Sequence, residues 1–355
     1  MNKNYISRRD FVKTTLAGTV ALAAIMYPFT NEAVVSVVRI KNGDIKLAVK
    51  EALNLIGGPK EIFQNRKQVM LKPNLVAPVP ACTTKPEIIK ALAEIIKDEG
   101  KKVSIGEGSA AAPGFNLKNN IQYRTKKSEI LDPMQKYVFD ELGYTKLAEE
   151  LDIPLINLHT GKMVDIEVPN GLMYDKITVH HSITESDMLV SVPMMKTHTL
   201  ATVTLGMKNL IGVYPGSVYY SVRSFLHDQA AERGSEGIAY EIIDMVRASK
   251  MGLTVIDAST AMEGNGPSEG ELVDMNLIIA GTNPFATDLV GASVMGFEIE
   301  EIPTFQWAIK SGFTPTNLSD IEIRGEAMKD VRRNFKKPAR VPWQAINKLW
   351  GVEEL

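Results

Sequence analysis

Gln68-Val69-Met70-Leu71-Lys72-Pro73-Asn74 and Lys102-Val103-Ser104-Ile105-Gly106-Glu107-Gly108-Ser109 bracket the stretch that decides the fold. Each is a short apolar run ending in charged and turn-forming residues, the pattern of a buried strand leaving a sheet. Between them, Thr84 and Glu87 make a capping-box pattern and Pro86 suits a first helical turn. Ile88, Leu92, Ile95 and Ile96 then share one face up to a stop at Gly100. Strand, helix and strand in that order predict parallel pairing with a right-handed crossover.

Working outward, Val34–Ile40 reads as a strand and Asp44–Ile56 as an amphipathic helix. Residues 108–133 are polar and weakly periodic, which predicts an insertion. Met134–Glu150 reads as helix, Pro154–Leu158 and Met163–Val168 as strands, and Met188–Val192 as a buried strand that stops at Pro193. Helices are expected around Tyr220–Glu232 and Glu236–Ala248, buried strands at Leu253–Ile256 and Asn276–Ala280, and a helix over Pro284–Met295. The alternation predicts an α/β fold: an open, mostly parallel sheet with helices on both faces and an inserted or second lobe. The expected domains are a leader at 1–33, an α/β domain at 34–325 and a basic tail at 326–355.

The leader carries Ser7-Arg8-Arg9-Asp10-Phe11-Val12-Lys13 ahead of the uncharged, moderately apolar Thr14–Phe29. It resembles a twin-arginine export signal, and the segment is short for a membrane span. That resemblance implies the twin-arginine machinery as a partner, export of an already folded chain commonly carrying a cofactor, and a periplasmic or outer-membrane-face location. No clear small-x-small cleavage site closes the segment, so retention as a membrane anchor stays open.

A net charge of −2 argues against nucleic acid as a partner, since phosphate binding needs a large basic surface. The tail is a local exception, with Lys329, Arg332, Arg333, Lys336, Lys337, Arg340 and Lys348 near Trp343 and Trp350. It either packs on the domain or meets an anionic membrane or partner. Cys82 is the single cysteine, which excludes an intramolecular disulfide and a cysteine-ligated iron–sulfur cluster within the chain.

In open parallel α/β sheets, ligands bind beyond the carboxyl ends of strands. Lys72 and Asn74 follow one expected strand, Glu107 another, Lys196-Thr197-His198 a third and Asp257 a fourth. Histidine titrates near neutrality or binds metal, and lysine offers a point charge or, desolvated, an amine nucleophile. Lys208 and Asn209 lie downstream between Gly206 and Gly212, glycines that indicate close backbone approach. A second constellation runs from Asp257 through Glu263-Gly264-Asn265-Gly266-Pro267, read as a glycine-rich loop. Its carboxylates, with Asp288, are candidate ligands for a divalent metal, and Gly264 and Gly266 could cradle an anion with their amides. His198, Glu107 and Glu263 are the candidate catalytic groups. Lys72, Asn74, Lys196, Lys208, Asn209, Gly264 and Gly266 are the candidate binding groups.

At these residues the chain resembles the uncharacterised prokaryotic family catalogued as domain of unknown function 362. The matching elements are Lys72-Pro73-Asn74, Thr84-x-Pro86-Glu87, Gly106-Glu107-Gly108, Pro193-x-x-Lys196-Thr197-His198, Gly206-Met207-Lys208-Asn209, Met262-Glu263-Gly264-Asn265-Gly266-Pro267 and Asn283-Pro284-x-Ala286-x-Asp288. The resemblance names no reaction. Many relatives carry a ferredoxin-like segment, which implies a redox partner protein, and the lone cysteine leaves no such segment here. A more remote likeness is to nickel-pincer lactate racemases, on His198, Lys208 and Pro215-Gly216. It implies an acid–base role for His198 and a cofactor-holding role for Lys208, although Asn209 and the interval from Lys208 to Pro215 depart from that pattern. Together these readings predict an exported enzyme that uses a metal or a tightly held organic cofactor on a small anionic substrate. The alternative is a non-catalytic anion-binding or scaffold protein in the same cleft.

Overall fold

Strands whose alternate residues are both apolar must bury two faces, and this chain does so in a single central sheet. The computed structural model describes residues 33–119, 121–339 and 355. The arginine-pair leader and the tail tryptophans Trp343 and Trp350 lie outside the described residues. The sheet has ten strands. They are β1 (Ala33–Arg39), β2 (Gln68–Pro73), β3 (Lys102–Glu107), β4 (Leu155–Asn157), β5 (Met188–Val192), β6 (Met194–His198), β7 (Thr202–Thr204), β8 (Met251–Glu263), β9 (Glu271–Gly281) and β10 (Ile321–Gly325). The order is β10-β1-β9-β8-β5-β2-β3-β4, with β6 alongside β8 and hairpinned to β7. Pairing is mostly parallel. The antiparallel pairs are β1–β9, β8–β9 and β6–β7.

The two faces are covered by different helices. Val69 and Leu71 of β2 pack with α1 (Ile45–Leu55), α2 (Pro86–Asp98), α3 (Ser128–Glu141) and α4 (Tyr144–Leu151). Met70, between them, belongs to the opposite core, built with α5 (Gly206–Asn209), α6 (Ser224–Arg233), α7 (Ala239–Ala248), α8 (Pro284–Val294) and α9 (Pro303–Lys310). The inserted parts are two small antiparallel ribbons, Leu117–Lys118 with Ile121–Gln122 and Met163–Glu167 with Lys176–His180, both off the main sheet.

Several local expectations need correction. Thr84 and Glu87 form no capping box: Lys85 stands at the N-cap without a side-chain cap. Thr84 Oγ1 instead donates to Val192 O at 2.6 Å and accepts from Asn74 N at 2.9 Å, tying the β2 exit to β5. The expected helix over Met134–Glu150 is two helices, because Gly143 takes a left-handed φ of 76° between them. Asp257 and Glu263 lie on β8, which runs on past Ile256, rather than on a glycine-rich loop. Residues 326–339, placed in the tail, pack on the domain, with Val331 and Phe335 buried.

Candidate functional site

The carboxyl ends of β2 and β3 bring together the first charged pair. Lys72 and Glu107 are both buried, with Nζ 2.8 Å from Oε1 and 2.9 Å from Oε2. Charges removed from water need every lone pair answered. Here Lys72 Nζ also donates to Pro73 O at 2.9 Å and Asn209 Oδ1 at 3.2 Å, while Glu107 accepts from Leu75 N at 2.9 Å and Gly108 N at 2.7 Å. Burial presses the Lys72 amine below its ordinary value, and Glu107 opposes that shift. Gly212 lies against the pair: a Cβ there would stand 2.7 Å from Lys72 Nζ, so only glycine fits.

Asn209 locks this pair to the next element. Its Nδ2 donates to Lys72 O at 3.0 Å and Ser191 Oγ at 3.1 Å, and its Oδ1 accepts from Asn74 Nδ2 at 3.2 Å. The turn that carries it, α5, is held by Asp288 of α8, whose Oδ1 and Oδ2 accept from Gly206 N at 2.7 Å and Met207 N at 2.8 Å. Asp288 therefore positions Lys208 and Asn209, and both its oxygens are committed to backbone amides. Burial pushes its pKa up to about 7, with the two amides resisting. A raised carboxyl pKa stabilises the fold fully below the unfolded value and loses that contribution as pH rises through the folded one. Asp288→Asn should therefore remove a loss of stability between about pH 4 and 7, on the order of 4 kcal/mol at most. Urea titrations of both proteins across that range check it.

Around α5 the charges are cationic. Lys196 on β6 is buried, donates to Cys82 O at 2.6 Å, and is pushed down to about 8 by burial. Lys208 is half-buried and is pushed down to about 7 by burial and by Lys196, Arg223 and Lys72, all cations. Among the described residues Lys208 Nζ has no hydrogen-bond or ion-pair partner. Arg223, buried, donates from Nε to Tyr214 O at 3.1 Å, from Nη1 to Ser109 O at 2.9 Å, and from Nη2 to Gly108 O and to Gly212 O at 3.1 Å. It staples the β3 exit to the loop after α5. The backbone leading to it is strained: Tyr220, Val222 and Arg223 have φ of 63°, 52° and 55°, a region costly for side-chain-bearing residues.

His198 lies on the same cluster. Its Nδ1 accepts from Leu200 N at 3.0 Å and Ala201 N at 3.4 Å. Burial, then Lys208 and Lys196, hold its pKa far below the ordinary value. A neutral imidazole with Nδ1 accepting carries its proton on Nε2. His198 is thus a hydrogen-bond donor in this state, not the expected acid–base group.

The second expected constellation disperses. Asp257 accepts from Lys85 N at 3.0 Å and from Ser259 N and Oγ at 3.1 and 2.6 Å. Glu263 accepts from Lys336 N at 3.1 Å. Gly264 N donates to Lys336 O and Gly266 N to Gly264 O, so neither amide is available to cradle an anion. Gly266 is needed because Thr197 O presses on it. Among the described residues no group of three or more His, Cys, Asp or Glu side chains is placed to hold a metal ion, so Asp257, Glu263 and Asp288 make no common centre. Cys82 is buried, and its thiol donates to Val79 O at 3.4 Å and is pushed up by burial. A separate hollow of about 580 Å³ near β4, lined by Asp132, Lys136, Asn157 and His180 among others, shares no residue with the cation cluster.

The site therefore joins Lys72, Asn74, Glu107, Lys196, His198, Lys208 and Asn209, all anticipated, and adds Arg223 and Ser191. The family model for a domain of unknown function, DUF362, matches residues 69–293, which contain every one of these groups. The chain belongs to the DUF362 family. Outside the family model, a thylakoid-associated protein of Synechocystis sp. is 26% identical over 278 residues, covering 77% of each chain. A Thermotoga maritima protein of known crystal structure aligns with a TM-score of 0.39 at 14% identity, over 76% of this chain and 59% of that one. Within the DUF362 chain, no helix of the described residues is long and apolar enough to cross a membrane.

Proposed function

We propose that this DUF362 protein is an exported enzyme that binds a small organic anion at the Lys196–His198–Lys208–Arg223 cluster. One observation carries the reading: Lys72, Lys196, Lys208 and Arg223 share one electrostatic field, and among the described residues the two carboxylates hydrogen-bonded there are committed, Glu107 to Lys72 and Asp288 to the Gly206 and Met207 amides. Uncompensated buried cations are costly unless an anion completes them. The field also gives the ligand a pH signature. Binding favours cationic Lys208, so affinity should fall as pH rises above about 7, by up to about tenfold per unit.

Differential scanning fluorimetry with acetate, pyruvate and phosphate tests this, using chloride as the control for ionic strength. At 100 times its Kd a ligand adds about 2.7 kcal/mol. The expected result is stabilisation of wild type by at least one of these anions and none of Lys208→Met. Equal shifts in both proteins overturn the reading.

A receptor without turnover is favoured by one feature. Glu107 and Asp257 are fully engaged and His198 is a donor, so the cluster offers no carboxylate or imidazole base.

The Arg8-Arg9 pair supports delivery by the twin-arginine route, to the periplasm or the outer face of the membrane. The Synechocystis relative is a thylakoid-associated protein, which is in keeping with a membrane-associated location. Changing both arginines to lysine should leave the protein in the cytoplasm. Fractionation that finds it still exported sinks the export reading.

A further inference from the structure

The three lysines of the cluster differ in what they already touch. Lys72 Nζ is filled by Glu107, Pro73 O and Asn209 Oδ1. Lys196 is fully buried and donates to Cys82 O. Lys208 alone of the three has no hydrogen-bond or ion-pair partner among the described residues, and it keeps part of its surface open. His198 is its neighbour in the same field, and with Nδ1 occupied by two backbone amides its Nε2–H has no acceptor among the described residues. A partnerless amine and a partnerless donor that act on each other electrostatically, within the field of Lys72, Lys196 and Arg223, suit a ligand with an anionic end and an electrophilic carbonyl next to it.

We propose that Lys208 is an amine nucleophile and that the ligand of this site is a carbonyl-bearing small anion of the 2-oxo acid class, held as an imine on Lys208. The inference rests on the anion-site reading above and deepens it. The neutral Nζ adds to the carbonyl carbon, and the carbonyl oxygen, accepting a hydrogen bond from His198 Nε2, becomes the hydroxyl of a carbinolamine. That oxygen then leaves as water with both hydrogens of the original amine, and a C=N bond replaces the C=O bond. No oxidant or reductant is required. Imine formation needs the unprotonated amine, which burial among cations supplies near neutral pH. An ordinary lysine at pH 7 is neutral in only about one molecule in 2,500. The carboxylate is held by the charges of Lys196 and Arg223, so the site selects an anion before the covalent step.

The test treats the protein with pyruvate and sodium cyanoborohydride and maps adducts by peptide mass spectrometry. The expected result is a reduced pyruvate adduct on Lys208, formed about 10-fold or more faster than on any other lysine, with a rate that rises as pH increases through about 7. Lys208→Arg separates chemistry from charge, because it keeps the cation and cannot form an imine. It should still be stabilised by acetate and pyruvate in scanning fluorimetry while losing the adduct. Stabilisation of wild type by both anions with no preferential adduct on Lys208 overturns the amine role and leaves the anion site standing. Neither stabilisation nor adduct overturns both.

Discussion

Glu107→Leu is expected to destabilise the protein by about 3–5 kcal/mol, the cost of leaving a buried ammonium without its counter-charge. Lys72 is 0% exposed and Glu107 is 2% exposed, so neither group can recover hydration by a small movement. The loss also strips the acceptor from Leu75 N and Gly108 N, and each orphaned amide adds of order 1–3 kcal/mol that local relaxation only partly returns. The pair itself is a different matter. Replacing both partners, as in Lys72→Met with Glu107→Leu, should recover much of the single-variant loss, because desolvating two charges offsets most of their mutual attraction. Urea unfolding of the two singles and the double measures the coupling. A double variant no better than Glu107→Leu alone would show that Glu107 acts chiefly through the amides and not through Lys72.

Arg223→Met should cost a comparable amount, roughly 3–5 kcal/mol. The guanidinium answers carbonyls of Gly108, Ser109, Gly212 and Tyr214 from two different loops, and of these only Ser109 O has a second side-chain partner among the described residues, His159 Nε2 at 2.8 Å. Its own backbone is held at a positive φ, so the native contacts must also outweigh that strain. A second readout separates this from simple loosening. Arg223 lowers the pKa of Lys208, so in a folded Arg223→Met protein the Lys208 value should rise from about 7 toward the lysine norm. Arg223→Lys keeps the charge but not the fork, and it should lose stability while leaving Lys208 depressed. A Lys208 value unmoved by Arg223→Met contradicts the cluster as drawn.

The legible part of this molecule was local. The β2–α2–β3 unit could be read because its apolar periodicity, Pro86 and Gly100 all act within a few residues. The strand-end rule places Lys72 and Glu107 at neighbouring exits, since topology brings the exits of parallel strands together, whereas Lys196 lies within β6 and not beyond a strand end. Thr84 is misread because its hydroxyl oxygen can accept from an amide three residues on or from the distant Asn74 N, and only the tertiary fold chooses. Asp257 and Glu263 are misread because a polar run with later glycines resembles a loop, whereas β8 buries both carboxylates by giving each a backbone amide. Arg223 carries no local signal: the strained Tyr220–Arg223 backbone contains no glycine to announce it. His198 was identified, yet its role turned on which ring nitrogen the Leu200 and Ala201 amides occupy.

The central claim is that Lys208, unpaired among the described residues, is an amine in a field of cations that awaits an anion. Competitive acetylation of the folded protein across pH, read by mass spectrometry at Lys208, measures its pKa directly, with and without saturating acetate or phosphate. The account predicts a value near 7 in the free protein and a higher one when an anion is bound. A value near that of an ordinary exposed lysine, about 10.4, unchanged by either anion, would contradict it.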